Sequence, residues 1–131
     1  MIGLDTNILV RFFAQDDPQQ TQKARAVLGS LTVDEPGWVG TATILELVWV
    51  MESTFRSGRS TVVGMLTQLL SREEIVIEQG DALRSGVLLF RSGNADFADC
   101  LIASSAKSAG CIRTLTFDRI AARGAGMELV S

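Results

Sequence analysis

Short apolar runs alternate along the chain with longer stretches whose apolar positions recur every three or four residues. Residues 1–4 are mostly apolar and read as a buried strand. Asp5-Thr6-Asn7 follows, then the helical run Ile8-Leu9-Val10-Arg11-Phe12-Phe13. Asp5 or Thr6 can cap that helix by accepting a hydrogen bond from its first free N–H groups. Asp16-Asp17-Pro18 marks a second helix start, with Pro in the first turn, and Ala24, Val27, Leu28 and Leu31 hold one face. Residues 36–40 carry Trp38-Val39, a short strand. Thr41 or Thr43 can cap the next helix, which presents Ile44, Leu45, Leu47, Val48 and Met51 and is broken by Ser57-Gly58. Ser60 opens another, with Val62, Val63, Leu66, Leu69 and Leu70 on one face. Ile75-Val76-Ile77 is a β-branched run and reads as a strand. Gly80-Asp81 opens a helix through Leu83, Val87 and Phe90 that ends at Gly93-Asn94. Asp96 starts the next, with Phe97, Leu101 and Ile102, ending at Gly110. Residues 111–117 predict a strand, Asp118 a short turn or helix, and residues 127–130 a final strand. Strands that alternate with helices, without a hairpin signal, predict an α/β fold: a parallel sheet flanked by helices on both faces. No repeat, low-complexity tract or linker interrupts the pattern, so residues 1–131 are expected to form a single domain.

Composition narrows the chemistry. There is no His, which excludes Ser-His-Asp and Cys-His sites and every His-ligated metal site, and there is no Tyr. Cys100 and Cys111 lack metal-ligand spacing and are expected to be small buried hydrophobes. Met1 leads directly into Ile2-Gly3-Leu4-Asp5 without a basic, then apolar, leader. The longest apolar run, 47–51, is far too short to span a bilayer, so a cytoplasmic protein with no membrane partner is expected. The net charge of −3 does not announce a nucleic-acid binder. All the bases except Lys23 and Lys107 are Arg, which suits bidentate phosphate recognition but also follows from a GC-rich genome.

Ligands of a parallel α/β sheet bind outside the carboxyl ends of its strands. Asp5 ends the first strand and Asp118 the fourth. Asp96 and Asp99 share the first turns of one helix, and Glu46 is the only charge between Thr41 and Met51. Each has a bland explanation as a helix cap, a dipole complement, a turn residue or an ion-pair partner. Their joint arrival at one sheet edge would be costly, because two carboxylates ~4 Å apart repel by ~4 kcal/mol at an effective dielectric of 20. A cation would neutralise them. Oxygen ligands without imidazole or thiolate call for a hard ion, Mg²⁺ or Mn²⁺. The matching chemistry is metal-assisted hydrolysis of a phosphodiester. Setting aside Asp5, Glu46, Asp96, Asp99 and Asp118 leaves 10 acids against 12 bases, a remainder of +2 that tolerates a polyanion.

Four blocks carry a resemblance: Asp5-Thr6-Asn7-Ile8-Leu9, Glu46-Leu47, Asp96-Phe97-Ala98-Asp99-Cys100-Leu101-Ile102-Ala103, and Thr116-Phe117-Asp118. In this order and spacing the chain resembles a PIN domain and, more narrowly, a VapC-type toxin ribonuclease of a type II toxin–antitoxin system. The resemblance implies a five-stranded parallel sheet and a pocket binding Mg²⁺ or Mn²⁺. It makes Asp5, Glu46 and Asp99 the core triad, with Asp118 a fourth and more variable acid. Asp96 is expected next to the metal ligands, and Thr6, Asn7 and Thr116 are expected to orient the acids. Residues 56–90 match least. The resemblance also implies a VapB-like antitoxin as partner, a homodimer, and operator DNA bound only through the antitoxin. Phe12, Phe13, Trp49 and Met51 could anchor a partner, although core positions are the expectation for most of them.

The expected function is therefore a metal-dependent endoribonuclease that attacks RNA phosphodiesters with water. The alternative is a non-catalytic PIN-like module that binds RNA or a protein, and the presence of all four acids disfavours it. A receiver-like phospho-acceptor would need paired acids after the first strand and a Lys after the last, whereas Lys107 falls in a helix. A haloacid-dehalogenase-like phosphatase needs a second Asp where Asn7 stands.

Overall fold

The computed structural model describes residues 1–131 and divides them into two compact units, Met1–Glu78 and Gln79–Ser131. All five anticipated strand positions are occupied and every strand pairing is parallel. The strands form a three-stranded sheet in the first unit and a two-stranded sheet in the second.

In the first unit, β1 (Ile2–Gly3), β2 (Gly37–Val39) and β3 (Ile75–Ile77) lie side by side in that order. Ile2 pairs with Gly37, and Gly37 in turn with Ile75. Helix α1 (Thr6–Ala14) leaves the carboxyl end of β1, and Gln15 stops it in the left-handed region at φ 54°. Helix α2 (Pro18–Gly29) starts as its sequence demands: Pro18 needs no hydrogen-bond partner in the first turn, and the Asp17 carboxylate accepts from the N–H groups of Gln19 and Gln20. Helix α3 (Thr41–Ser53) leaves the carboxyl end of β2. Its cap is neither Thr41 nor Thr43 but Gly40, whose lack of a side chain is compensated by Glu78, which accepts from the Thr41 N–H at 2.9 Å. Helix α4 (Arg59–Leu70) begins one residue before Ser60 and leads into β3. Leu9, Val39, Ile44, Leu47, Leu66 and Leu69 are fully buried and form the centre of this unit's core. Met51 joins them and Phe12 and Phe13 are half-buried, whereas Trp49 departs from the core expectation and is exposed.

The second unit is built on two helices, α5 (Gly80–Ser92) and α6 (Phe97–Ser108), followed by β4 (Leu115–Thr116), α7 (Arg119–Gly124) and β5 (Glu128–Leu129). Helices α5 and α6 pack closely because Gly86 has no side chain. A Cβ there would stand 3.3 Å from the Leu101 Cα and 3.5 Å from the Cys100 carbonyl oxygen. Phe90 and Phe97 meet edge to face near this contact, with centroids 5.6 Å apart. The anticipated strand over 111–117 is reduced to two residues. Gly110 turns the chain at φ 96°, and residues 111–113 run exposed before β4 finds its one partner, β5. For the same reason Cys111 is exposed, contrary to the buried expectation that Cys100 meets. No helix in the chain is long and apolar enough to cross a membrane.

Replacing Gly86 with Val is expected to cost about 1–3 kcal/mol, since a branched side chain must be forced against the backbone of α6. Urea unfolding checks this, with a lowered midpoint expected. An unchanged midpoint would mean that the two helices do not depend on this close approach.

Candidate functional site

The anticipated site residues fall in both units, and each half can be built from its local structure. In the first unit Asp5 follows β1 and is the N-cap of α1. One of its carboxylate oxygens accepts from the Thr6 N–H at 2.8 Å, and the residue is exposed. Glu46 lies in the middle of α3 and is also exposed. Because β1 and β2 are parallel neighbours, α1 and α3 both rise from the carboxyl edge of the sheet, and the two helices pack together. Asp5 therefore stands at the carboxyl edge of this sheet, where the α/β arrangement places ligands, and Glu46 rides on the helix that rises from the neighbouring strand. Thr6 is buried beneath Asp5, while Asn7 is exposed on the first turn of α1.

In the second unit three acids stand at or near helix starts. Asp96 occupies the N-cap position of α6, yet its side chain makes no capping hydrogen bond, so a capping role does not account for it. Asp99 sits in the first turn of α6. Asp118 is the N-cap of α7, and its Oδ1 accepts from the N–H groups of Ile120 at 2.8 Å and Ala121 at 3.2 Å. The Asp118 N–H in turn donates to Thr116 Oγ1 at 3.0 Å, which fixes the backbone on which the carboxylate is carried.

A tight contact fixes the segment before Asp96. A Cβ on Gly124, at the end of α7, would lie 2.8 Å from both the Cβ and the N of Ala95. The segment preceding Asp96 is thereby held against the far end of the helix that Asp118 begins. Neither glycine spacing nor apolar periodicity announces this contact, because Gly124 reads as an ordinary helix end.

Asp99 records the resulting electrostatics. Its carboxyl is pushed above the usual aspartate range, first by partial burial and then by the charges of Asp96 and Asp118. Shifts of this kind cluster at functional sites. The structure draws no three or more acidic or thiol side chains together as a metal cage. In each unit the candidate ligands are carboxylate oxygens, a chemistry that fits a hard divalent cation rather than zinc. A groove of about 740 Å³ in the second unit, walled by Leu88, Ser104, Lys107 and Cys111, contains none of these acids.

In metal-free protein, Asp99→Asn is expected to raise the melting temperature at neutral pH. Since the folded state holds the Asp99 proton more tightly than the unfolded chain, stability falls as pH rises from the ordinary value of 3.8 through the folded one. The substitution should flatten that slope. An equally steep slope in wild type and variant would mean that Asp99 carries no such strain.

A family model described as PIN domain matches residues 2–126 of the chain. No curated protein matches it.

Proposed function

The chain belongs to the PIN domain family, whose fold is of the nuclease type, and on that premise we propose that it is a metal-dependent endoribonuclease acting as the toxin of a toxin–antitoxin pair. The observation that carries the reading is the placement of Asp96, Asp99 and Asp118 at the starts of α6 and α7, with partial burial and then the charges of Asp96 and Asp118 acting on Asp99. In this reading Asp5, Glu46, Asp99 and Asp118 hold the ion, and Asp96 tunes the charge beside them. A bound Mg²⁺ or Mn²⁺ supplies water activation and neutralisation of charge at the phosphate.

The chain's own residues do the positioning. The Thr6 N–H holds one oxygen of Asp5, which leaves the other for the ion. The paired N–H groups at the start of α7 hold one oxygen of Asp118 in the same way. Thr116 and the packed Thr6 keep these carriers rigid, with Asn7 at the rim. A divalent ion added to four carboxylates leaves the rest of the protein, +2 without the five acids, free to receive an RNA backbone. A VapB-like antitoxin, a homodimer, operator DNA engaged only through the antitoxin, and a cytoplasmic place of action complete the proposal.

The test is cleavage of total cellular RNA by purified protein with Mg²⁺ or Mn²⁺ against EDTA. Discrete cuts that need metal are expected. Asp5→Asn and Asp99→Asn should each lose more than the about 10–100-fold typical of an outer-shell residue, with the fold retained by circular dichroism. Losses of two- or three-fold would remove these acids from the proposed site. Absence of cleavage by folded, antitoxin-free protein would favour a binding module instead.

A further inference from the structure

The groove of the second unit, about 740 Å³ in volume, holds none of the acids assigned above and has a chemistry of its own. Its size falls within the about 300–1,000 Å³ usual for small-ligand sites. No Asp or Glu lines it, whereas Lys107 and Arg113 do. Lys107 takes part in none of the chain's ion pairs. Arg113 pairs with Glu128 at 3.0 Å, but both side chains are more than half exposed, so water competes for the pair and it holds its partners loosely. The groove therefore offers two cations to an incoming anion.

Two further side chains of the groove have no use inside the chain. Ser104 lines it, is only 4% exposed, and its Oγ has no hydrogen-bond partner. Buried hydroxyls are normally paired, so this one calls for a partner that enters by the groove. Cys111 also lines it, is exposed and stands in no disulfide, whereas Cys100 is fully buried. The end of α6 fixes where Cys111 sits. Gly110 turns the chain at φ 96°, and its N–H donates to the Lys107 carbonyl at 3.0 Å. The Cys111 N–H donates to the Ala106 carbonyl, also at 3.0 Å. These bonds bring Cys111 back onto the turn that carries Lys107.

We propose that this groove receives an anionic low-molecular-weight thiol of the glutathione class, and that Cys111 joins it in a mixed disulfide. Exchange needs an accessible sulfur, and of the two cysteines only Cys111 supplies one. The oxidant is the ligand's own disulfide. The Cys111 sulfur gives its proton to water and attacks one sulfur of glutathione disulfide. The bond between protein and ligand forms as the ligand's S–S bond breaks, and one glutathione leaves as thiolate and takes up a proton. The Cys111 sulfur is oxidised and the departing glutathione reduced. Lys107 and Arg113 hold the carboxylates of the retained glutathione, and its amides supply the partner that Ser104 lacks. Cations lining a cleft raise the local concentration of an anion, so the groove selects the charge of the disulfide it reacts with. Such a cap is reversible by thiols.

The experiment treats the reduced full chain with glutathione disulfide and, in parallel, with the neutral hydroxyethyl disulfide, and follows the intact mass over time. One glutathione per chain is expected, on Cys111 in the peptide map and absent from Cys111→Ser. A variant carrying both Lys107→Ala and Arg113→Ala should react with glutathione disulfide about tenfold more slowly, and with hydroxyethyl disulfide at the wild-type rate. S-Methylglutathione, which cannot form the disulfide, should slow alkylation of Cys111 by iodoacetamide in the wild type and not in that variant. An adduct on Cys100, or a glutathione rate that the double substitution leaves unmoved, overturns the proposal. Equal slowing toward both disulfides also overturns it, because the cations then act on the thiol and not on the ligand. Chains linked to one another through Cys111 in place of the adduct overturn it too, and make this cysteine a contact between copies.

Discussion

Like charges held in proximity are the constraint around which the second unit is arranged. Partial burial and then the charges of Asp96 and Asp118 disfavour the ionised form of Asp99. The three acids stay because apolar packing has already fixed their carriers. Gly86 admits the backbone of α6 against α5, and Gly124 admits Ala95 against α7. Buried Phe90, Phe97 and Leu101 weld the helices between these two contacts. Helix starts supply the other part of the compensation. The free N–H groups of a first turn carry partial positive charge, and the carboxylates of Asp99 and Asp118 sit at such starts.

The first unit solves a simpler problem by the same means. Asp5 is tied by its own helix, and Glu46 rides on a helix whose opposite face is wholly apolar. Both are exposed. Stability there comes from the parallel sheet and the Leu and Val side chains laid on it, at roughly 1.5–3 kcal/mol for each large side chain fully buried. Acids at the carboxyl edge therefore draw little on the folding energy. What each unit contributes is a rigid base for its acids, two of which, Asp5 and Asp118, also cap its helices.

Much of this was legible in the residues. The helix start at Asp17-Pro18, the strand Ile75–Ile77 and the helix closed by Gly93 follow from capping and periodicity, which act over a few residues. The acids were legible because charge in an otherwise apolar helix, as at Glu46, or directly after a strand, as at Asp5, has few local reasons. What escaped is long-range. Glu78 caps α3 from 37 residues away, Gly124 meets Ala95, and the strand expected over 111–117 is reduced to two residues after the turn at Gly110. Trp49 was open between core and surface because its spacing from Glu46 and from Met51 allows either, and only the packed helix decides.

The central claim is that the repelling carboxylates are kept for a divalent cation, and binding of that cation is the direct test. Thermal unfolding of wild-type protein and of Asp99→Asn, each titrated with Mn²⁺ in the absence of RNA, measures it. A cation that binds only the folded state adds stability that grows with concentration, by about 2.7 kcal/mol at a hundred times its dissociation constant. The account predicts a melting temperature that climbs with Mn²⁺ in the wild type and hardly moves in the variant. The same climb in both proteins, or none in either, would contradict it.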